Sequence, residues 1–339
     1  MRRALLLGLL GLGSAALSGG ESQGQTLRSL ASARGLLFGG AVNGTLFDPK
    51  EPEDARLVAT EYNTVVAENA MKWATLQGTQ GNFVFNFADA IVARAQANRQ
   101  TVRGHTLIWH GSVPPWLLNV SDRAQLRAAM QAHIEGVMKH FAGKVPIWDV
   151  VNEAISDEPG SPMRGTQFLK VAGPDYIEQA FRWAHQADPN AKLFYNDYGV
   201  EGLNSKSDAM YTLVKNLLAK GVPIDGVGFQ SHLDVDFSVA GSKMQQNLQR
   251  FRDLGLEVQL TEIDVQFKTS GDDAGQLAKQ AQVYGDLMNA CLSVKCSAFI
   301  MWGVSDFDSW RAAGRPLIFD EDYQKKPAYD ALFKVLSEK

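Results

Sequence analysis

Short apolar runs alternate with stretches of helical periodicity along nearly the whole chain. The runs occupy residues 36–42, 64–67, 101–108, 145–151, 192–195, 226–229, 257–263 and 297–302, each short enough to be a strand. Residues 51–62, 87–98, 122–141, 175–186, 205–220, 242–253, 272–292 and 328–336 read as helices. In the 122–141 stretch Leu126, Met130, Ile134, Val137 and Met138 recur at near-helical spacing. Pro52 suits a first helical turn, while Pro189 and the Gly221–Pro223 stretch mark helix ends. Residues 21–35 turn from polar to weakly helical through Leu27, Leu30 and Ala33, a lead-in to a domain covering 36–339.

Eight strand–helix units in one chain predict an α/β fold, a single-domain (β/α)8 TIM barrel. The competing architecture is a doubly wound open sheet. No G-x-G-x-x-G or G-x-x-x-x-G-K-[ST] opens a strand–helix turn, so the usual reason for that sheet is missing. No linker, second composition zone or internal repeat beyond the unit itself is present.

The polar residues fall at the strand ends. The second run ends in Glu68-Asn69, with Lys72-Trp73 just after; the third contains His105 and ends in Trp109-His110. The fourth, I-W-D-V-V-N-E-A over 147–154, ends in Asn152-Glu153, and the fifth in Tyr195-Asn196-Asp197-Tyr198. The sixth ends in Gln230-Ser231-His232, the seventh carries Glu262-Ile263-Asp264, and the eighth ends at Trp302, with Asp306 and Trp310 beyond. In a barrel these ends converge on one mouth. Singly, each has a structural reading. Trp148 reads as core, Asp149 as a hydrogen-bond partner at a strand end, His105 as a satisfied core histidine and Glu262 as a rim ion pair. Packing alone does not explain the set.

Composition narrows the field. The chain has 339 residues, 45% hydrophobic and 21% charged, which is ordinary globular usage. A formal net charge of −4 argues against nucleic acid or an anionic membrane as partner, and Lys325-Lys326 reads as a solvated surface pair. Met1-Arg2-Arg3 followed by the apolar stretch from Ala4 to Ala16 reads as a signal peptide over 1–20, too short for a membrane span. Arg2-Arg3 raises a twin-arginine signal, and an uncleaved anchor is the alternative to cleavage. The expectation is an exported protein, periplasmic or secreted, with no membrane contact after cleavage. The two cysteines, Cys291 and Cys296, then predict a local disulfide; two buried free thiols beside the last core strand are the alternative.

Two Glu at opposing strand ends suit glycoside cleavage. One carboxylic acid protonates the leaving oxygen, and the other carboxylate attacks carbon or activates water. The first must start protonated and the second ionised. Trp faces stack on sugar rings while Asn, Gln, His and Lys bond hydroxyls. W-D-V-V-N-E-A at 148–154 and L-T-E-I-D at 260–264 resemble the acid/base and nucleophile motifs of glycoside hydrolase family 10, the endo-β-1,4-xylanases. Ile263 stands where Leu is commoner. A-E-N-A-M-K-W at 67–73, R-G-H-T-L-I-W-H at 103–110, Y-N-D-Y at 195–198, Q-S-H at 230–232 and W-G-V-S-D-F-D-S-W at 302–310 follow in family order, covering residues 36–336.

The resemblance implies a retaining double displacement on xylan and xylo-oligosaccharides, without cofactor or metal. Glu153 is then acid/base and Glu262 nucleophile. Asn152 and His232 position the sugar 2-hydroxyl and Glu262, with Gln230 nearby and Asp264 behind His232. Glu68, Asn69, Lys72, His105, Trp109, Trp302 and Trp310 line the glycone side, and Tyr198 stacks on the aglycone side. One departure is local: Gly111-Ser112 replaces the family's Ser-Gln, so a shorter Ser112 stands where a Gln reaches a glycone hydroxyl. Trp116, in the proline-stiffened loop that follows, reads equally as rim platform or packing. The rivals are a retaining β-1,4-glucanase or mannanase on the same barrel, a non-catalytic sugar-binding barrel, and a metal-dependent hydrolase, for which no H-x-H pair appears.

Overall fold

The computed structural model describes residues 24–158, 161–268 and 273–338. Eight parallel strands form the barrel: β1 (Leu37–Val42), β2 (Thr64–Ala67), β3 (Thr101–Gly104), β4 (Ile147–Asn152), β5 (Lys192–Asp197), β6 (Gly226–Phe229), β7 (Glu257–Gln266) and β8 (Ala298–Met301). Each pairs with its neighbours in chain order, and β8 pairs with β1 on one side and β7 on the other, which closes the ring. Closure leaves no free edge; with helices outside and side chains packed inside, the strands are buried on both faces and read as nearly continuous apolar runs. Two short segments, Ile108–Trp109 against β4 and His232–Asp234 against β7, extend the wall at the C-terminal mouth. The third run, expected to continue through 108, therefore breaks at residues 105–107, where the His105–Thr106 peptide is cis.

Helices wrap the barrel because their apolar stripes have nowhere else to go. In Arg123–Phe141, Asp122 caps the first turn by accepting from the Gln125 N–H at 2.9 Å. Leu126, Met130, Ile134 and Val137 are fully buried on one face, each contributing about 1.5–3 kcal/mol of transfer free energy. Lys139 and His140 complement the dipole in the last turn. Truncating Leu126 to Ala would cost about 2–5 kcal/mol. No described helix is long and apolar enough to cross a membrane.

Small residues make room for large ones along the wall. A Cβ on Gly104 would lie 2.2 Å from the Trp148 ring, a core residue that packs on the helix side of the strand against Phe141. A Cβ on Gly228 would lie 2.1 Å from Asn196 Oδ1, so this glycine makes room for a polar side chain at the mouth.

Several sequence expectations change. The lead-in is a capped helix, Leu27–Ala33, docked on the domain: Leu27 is fully buried, its N–H donates to Glu61 at 3.0 Å, and Arg34 Nε donates to the Leu336 carbonyl at 3.0 Å. Lys326 is not a solvated surface residue. Its ammonium is buried and donates to Asp306 Oδ2 at 2.7 Å and to the Arg315 carbonyl at 2.7 Å, pinning the loop that carries Trp310. The expected disulfide is absent: Cys291 and Cys296 are buried free thiols. Both sit at the end of helix Asp273–Ser293. Lys295 takes a left-handed conformation (φ 56°), and the Cys296 N–H donates to the Cys291 carbonyl at 2.9 Å. That is a Schellman cap, in which these two positions make the apolar contact that closes the helix. The Cys291 thiol points to the Ala298 carbonyl at 3.8 Å. The expected signal segment, 1–20, lies outside the described residues.

Candidate active site

Glu153 follows the last residue of β4 with a left-handed backbone, φ 58°. Such a conformation costs a non-glycine residue about 1–3 kcal/mol and persists when its surroundings over-determine it. Here its N–H donates to the Asn196 carbonyl at 2.9 Å, and Arg164 Nε donates to its carbonyl at 3.0 Å. The turn brings the carboxyl into a cleft of about 400 Å³ at the barrel mouth. Glu262, inside β7, reaches the same cleft and is 4% exposed.

Three amides join the two carboxylates. Gln230 Nε2 donates to Glu153 Oε1 at 3.0 Å and to Asn152 Oδ1 at 3.1 Å. Asn196 Nδ2 donates to the same Asn152 oxygen at 2.9 Å and to Glu262 Oε1 at 2.7 Å. Thr261 donates to Asn196 Oδ1 at 2.7 Å, which fixes the way that amide faces. Asn152 thus spends only its carbonyl on the protein, and its N–H2 is left to the cleft.

The rest of each environment differs. Trp109 Nε1 donates to Glu153 Oε2 at 2.8 Å, and His110 Nε2 stands 3.9 Å from that oxygen. Glu262 Oε2 lies 3.2 Å from His232 Nε2, and His105 Nδ1 lies 3.8 Å from Oε1. Burial alone would push the Glu262 carboxyl up, but His105 and His232 together hold it below the ordinary carboxylate value. His232 is the converse case. Burial disfavours its charge, yet hydrogen bonds to Asp264 and Glu262 raise it to about 9, so both ring nitrogens donate at neutral pH. Its Nδ1 meets Asp264 Oδ2 at 2.8 Å. His105 Nδ1 has its own carboxylate, Asp149 Oδ2 at 3.0 Å, and buried Arg103 pairs with Asp149. Asp149 is therefore the structural partner the strand end suggested.

Glu68, Asn69 and Lys72 form one wall. Lys72 Nζ donates to Asn69 at 2.8 Å and lies 4.8 Å from the Trp109 ring centre. Burial lowers its pKa, opposed by Glu262, Glu68 and Glu153. Trp302 lies edge-on to His105 at 5.1 Å, and Trp310, 57% exposed, donates Nε1 to Asp264 at 2.8 Å. At the other end the Tyr198 hydroxyl bonds to Asp157 and accepts from Arg164 at 3.0 Å. Lys206 lies 3.5 Å over the Tyr198 ring, which closes that face to a sugar.

The two Glu and the eleven substrate-contact candidates all line this cleft, with Asp264 directly behind. The structure adds partners to these assignments: Asn196 bonds Glu262 beside His232, and Trp109 and Gln230 both bond Glu153. Trp116 is packing: its indole N–H donates to the Gln77 carbonyl at 2.9 Å and its ring packs edge-on against Trp73. Ser112 is not among the lining residues. Sequence reasoning missed Arg311, which lines the cleft, and Asn43, which donates to Glu68 at 3.0 Å. Asn43 directly follows β1 and the strand-end rule would have found it; Arg311 lies in the loop well past the last strand, and only its place beside Trp310 pointed to it. Among the described residues no three His, Cys, Asp or Glu come together as a metal site.

Comparison with known proteins places this geometry. The chain is 39% identical to endo-1,4-beta-xylanase B of Thermotoga neapolitana, over 99% of this chain and 97% of that protein. It is 41% identical over 85% of its length to a protein of Acetivibrio thermocellus named exoglucanase, of which it spans 28%. Among solved structures it resembles xylanase 10B of Thermotoga petrophila in complex with xylobiose, with TM-score 0.90 and 39% identity, covering 94% of this chain and 98% of that one. The family model for glycosyl hydrolase family 10 matches residues 26–335, and on that match together with these relatives the chain belongs to glycosyl hydrolase family 10.

Proposed function

We propose that the protein is a retaining endo-β-1,4-xylanase in which Glu153 is the acid/base and Glu262 the nucleophile. The observation that carries this is the pair of carboxylates on β4 and β7, tied by the Gln230–Asn152–Asn196 amides yet held by different partners. Glu262 is buried, ionised and pinned by His232 and Asn196, so its lone pair is aimed rather than solvated. It attacks the anomeric carbon while Glu153, oriented by Trp109 and Gln230, gives its proton to the leaving oxygen. The glycosyl ester on Glu262 is then cut by a water whose proton Glu153 takes back. The free Asn152 amide is in reach of a sugar 2-hydroxyl, a contact that strengthens as charge develops on the ring. Glu68, Asn69 and Lys72 bond the sugars on the glycone side, and Tyr198 offers one face on the aglycone side.

The decisive experiment is Glu262→Ala. Turnover of xylan should fall by several orders of magnitude, and azide should restore cleavage of an activated xyloside with inversion at the anomeric carbon. Unimpaired xylan hydrolysis by this variant would sink the assignment. Comparing wild-type rates on xylan and soluble cellulose tests the β-1,4-glucanase reading. The sugars named with solved relatives, xylobiose and xylotetraose, support short xylo-oligosaccharides as ligands of this cleft. The charged and apolar opening of the chain supports export to the periplasm or medium. N-terminal sequencing of the extracytoplasmic protein would show cleavage near residue 20; an intact Met1 in a cytoplasmic pool would exclude it.

A further inference from the structure

One cleft residue bonds neither of the two reacting carboxylates and is only partly used by the protein. Arg311 follows Trp310, lines the cleft and is 23% exposed at its side chain. One guanidinium nitrogen, Nη1, donates to Asp264 Oδ1 at 3.1 Å and lies 3.5 Å from the Leu233 carbonyl. The guanidinium stacks 4.6 Å from the Trp310 ring centre, which fixes its plane beside an exposed aromatic lip. Nε and Nη2 have no acceptor among the described residues, so one fork of a permanently charged group is open.

The other cations around the cleft are committed. Lys72 stands in the field of Glu262, Glu68 and Glu153, where an added anion would be repelled. Both ring nitrogens of His232 are taken by carboxylates. Arg164 and Lys206 are paired with Asp157, and Lys206 also with Asp197. Arg311 shares its one carboxylate, Asp264, with His232. Glu262, His232, Asp264 and Arg311 sum to zero charge while Glu262 is ionised. Once Glu262 carries the glycosyl ester, the set is one unit positive.

From this we propose that Arg311 is a recognition site for the carboxylate of a uronic acid branch on xylan, its open fork receiving the anion at the lip formed with Trp310. The proposal rests on the xylanase reading and adds the chemical class of substrate that the cleft favours. Arginine forks match carboxylates bidentately, and a neutral branch such as arabinose offers no such partner.

The test compares wild type, Arg311→Gln and Arg311→Lys on glucuronoxylan and on the same polymer after its uronic carboxyls are reduced to alcohols. The readout is the ratio of kcat/KM on the acidic polymer to that on the reduced one, so any misfolded fraction cancels. Wild type should prefer the acidic polymer by about fivefold, the scale of a partly exposed ion pair. Arg311→Gln should bring the ratio to unity, and Arg311→Lys should keep part of it. The wild-type preference should shrink toward unity at about 1 M salt, where the screening length is only about 3 Å. If Arg311→Gln slows both polymers together with the ratio unchanged, Arg311 only orients Asp264 and the inference is overturned. A linear xylo-oligosaccharide reports on the underlying reading separately: no turnover of it by wild type would remove that reading as well.

Discussion

At the scale of single residues, Glu262 depends on partners that are themselves held. Asp264 accepts from His232, Trp310 and Arg311, and so fixes the imidazole that faces the nucleophile. Asp264→Asn removes a charge that raises His232 to about 9, so the imidazole should titrate closer to its ordinary value. Glu262 then loses part of the positive charge that favours its ionised form. The acid limb of kcat/KM should move to higher pH, and NMR of the histidine ring should show the lowered titration. An unmoved acid limb with a shifted histidine would mean that the hold on Glu262 comes from His105 and Asn196 instead. Much of this scale was legible beforehand, because Glu, Asn and His at strand ends announce themselves in an apolar context. Their pairing was not. Asn152 and Asn196 are the same residue type at neighbouring strand ends, and only the barrel's stagger decides which one reaches Glu262.

The elements do more than carry these side chains. Gly228 sits in β6 where a Cβ would lie 2.1 Å from Asn196 Oδ1, and the Asn196 amide is what touches Glu262. Gly228→Ala should therefore act on activity through the neighbouring strand. Displacing a hydrogen bond to a charged group costs about 1.5–3 kcal/mol, so kcat should fall about tenfold to a hundredfold. Unchanged kcat with a lowered melting temperature would show that the strand yields and Asn196 does not. The same scale explains where expectation and structure part. Helix periodicity located the helices well, since an apolar stripe is a one-dimensional signal. The break of β3 at residues 105–107 and the Schellman end at Cys291–Cys296 are not periodic features. A pair of cysteines five apart looks the same in sequence whether it forms a bond or closes a helix.

For the whole molecule, two buried groups set opposing pH limits. His133 lies fully buried, stacked 4.2 Å from the Trp73 ring, and burial lowers it to about 3. The unfolded chain takes up this proton below about 6.5, whereas the native protein does so only near 3. Stability is thus fully present above the unfolded value and is lost as pH falls toward 3, at about 1.4 kcal/mol per pH unit at most. The melting temperature of His133→Phe should fall less steeply than that of wild type between these limits. Equal slopes would move the acid sensitivity elsewhere. Asp54 acts in the other direction. Burial, with Asp308 and Glu51 nearby, raises it to about 7, and one of its oxygens has no hydrogen-bond partner. Its contribution is present below the unfolded value near 4 and is lost as pH rises through 7. Asp54→Asn should therefore raise the melting temperature on the alkaline side and leave it little changed in acid; a loss at both ends would show that the carboxylate has a structural use.

The sequence by itself determined the barrel and the identity of its polar mouth. Eight apolar runs with helices between them admit few architectures, and side chains that break an apolar run at its end can only face the opening. The ordered motifs then narrowed the chemistry to two glutamates. Tertiary structure alone decided which groups touch. The Gln230–Asn152–Asn196 chain and the shared Asp264 join residues separated by 32 to 78 positions in the chain. The physical reason is that apolar period is a local property of a chain, whereas a hydrogen bond across a closed barrel depends on the stagger and tilt of strands that no local pattern encodes.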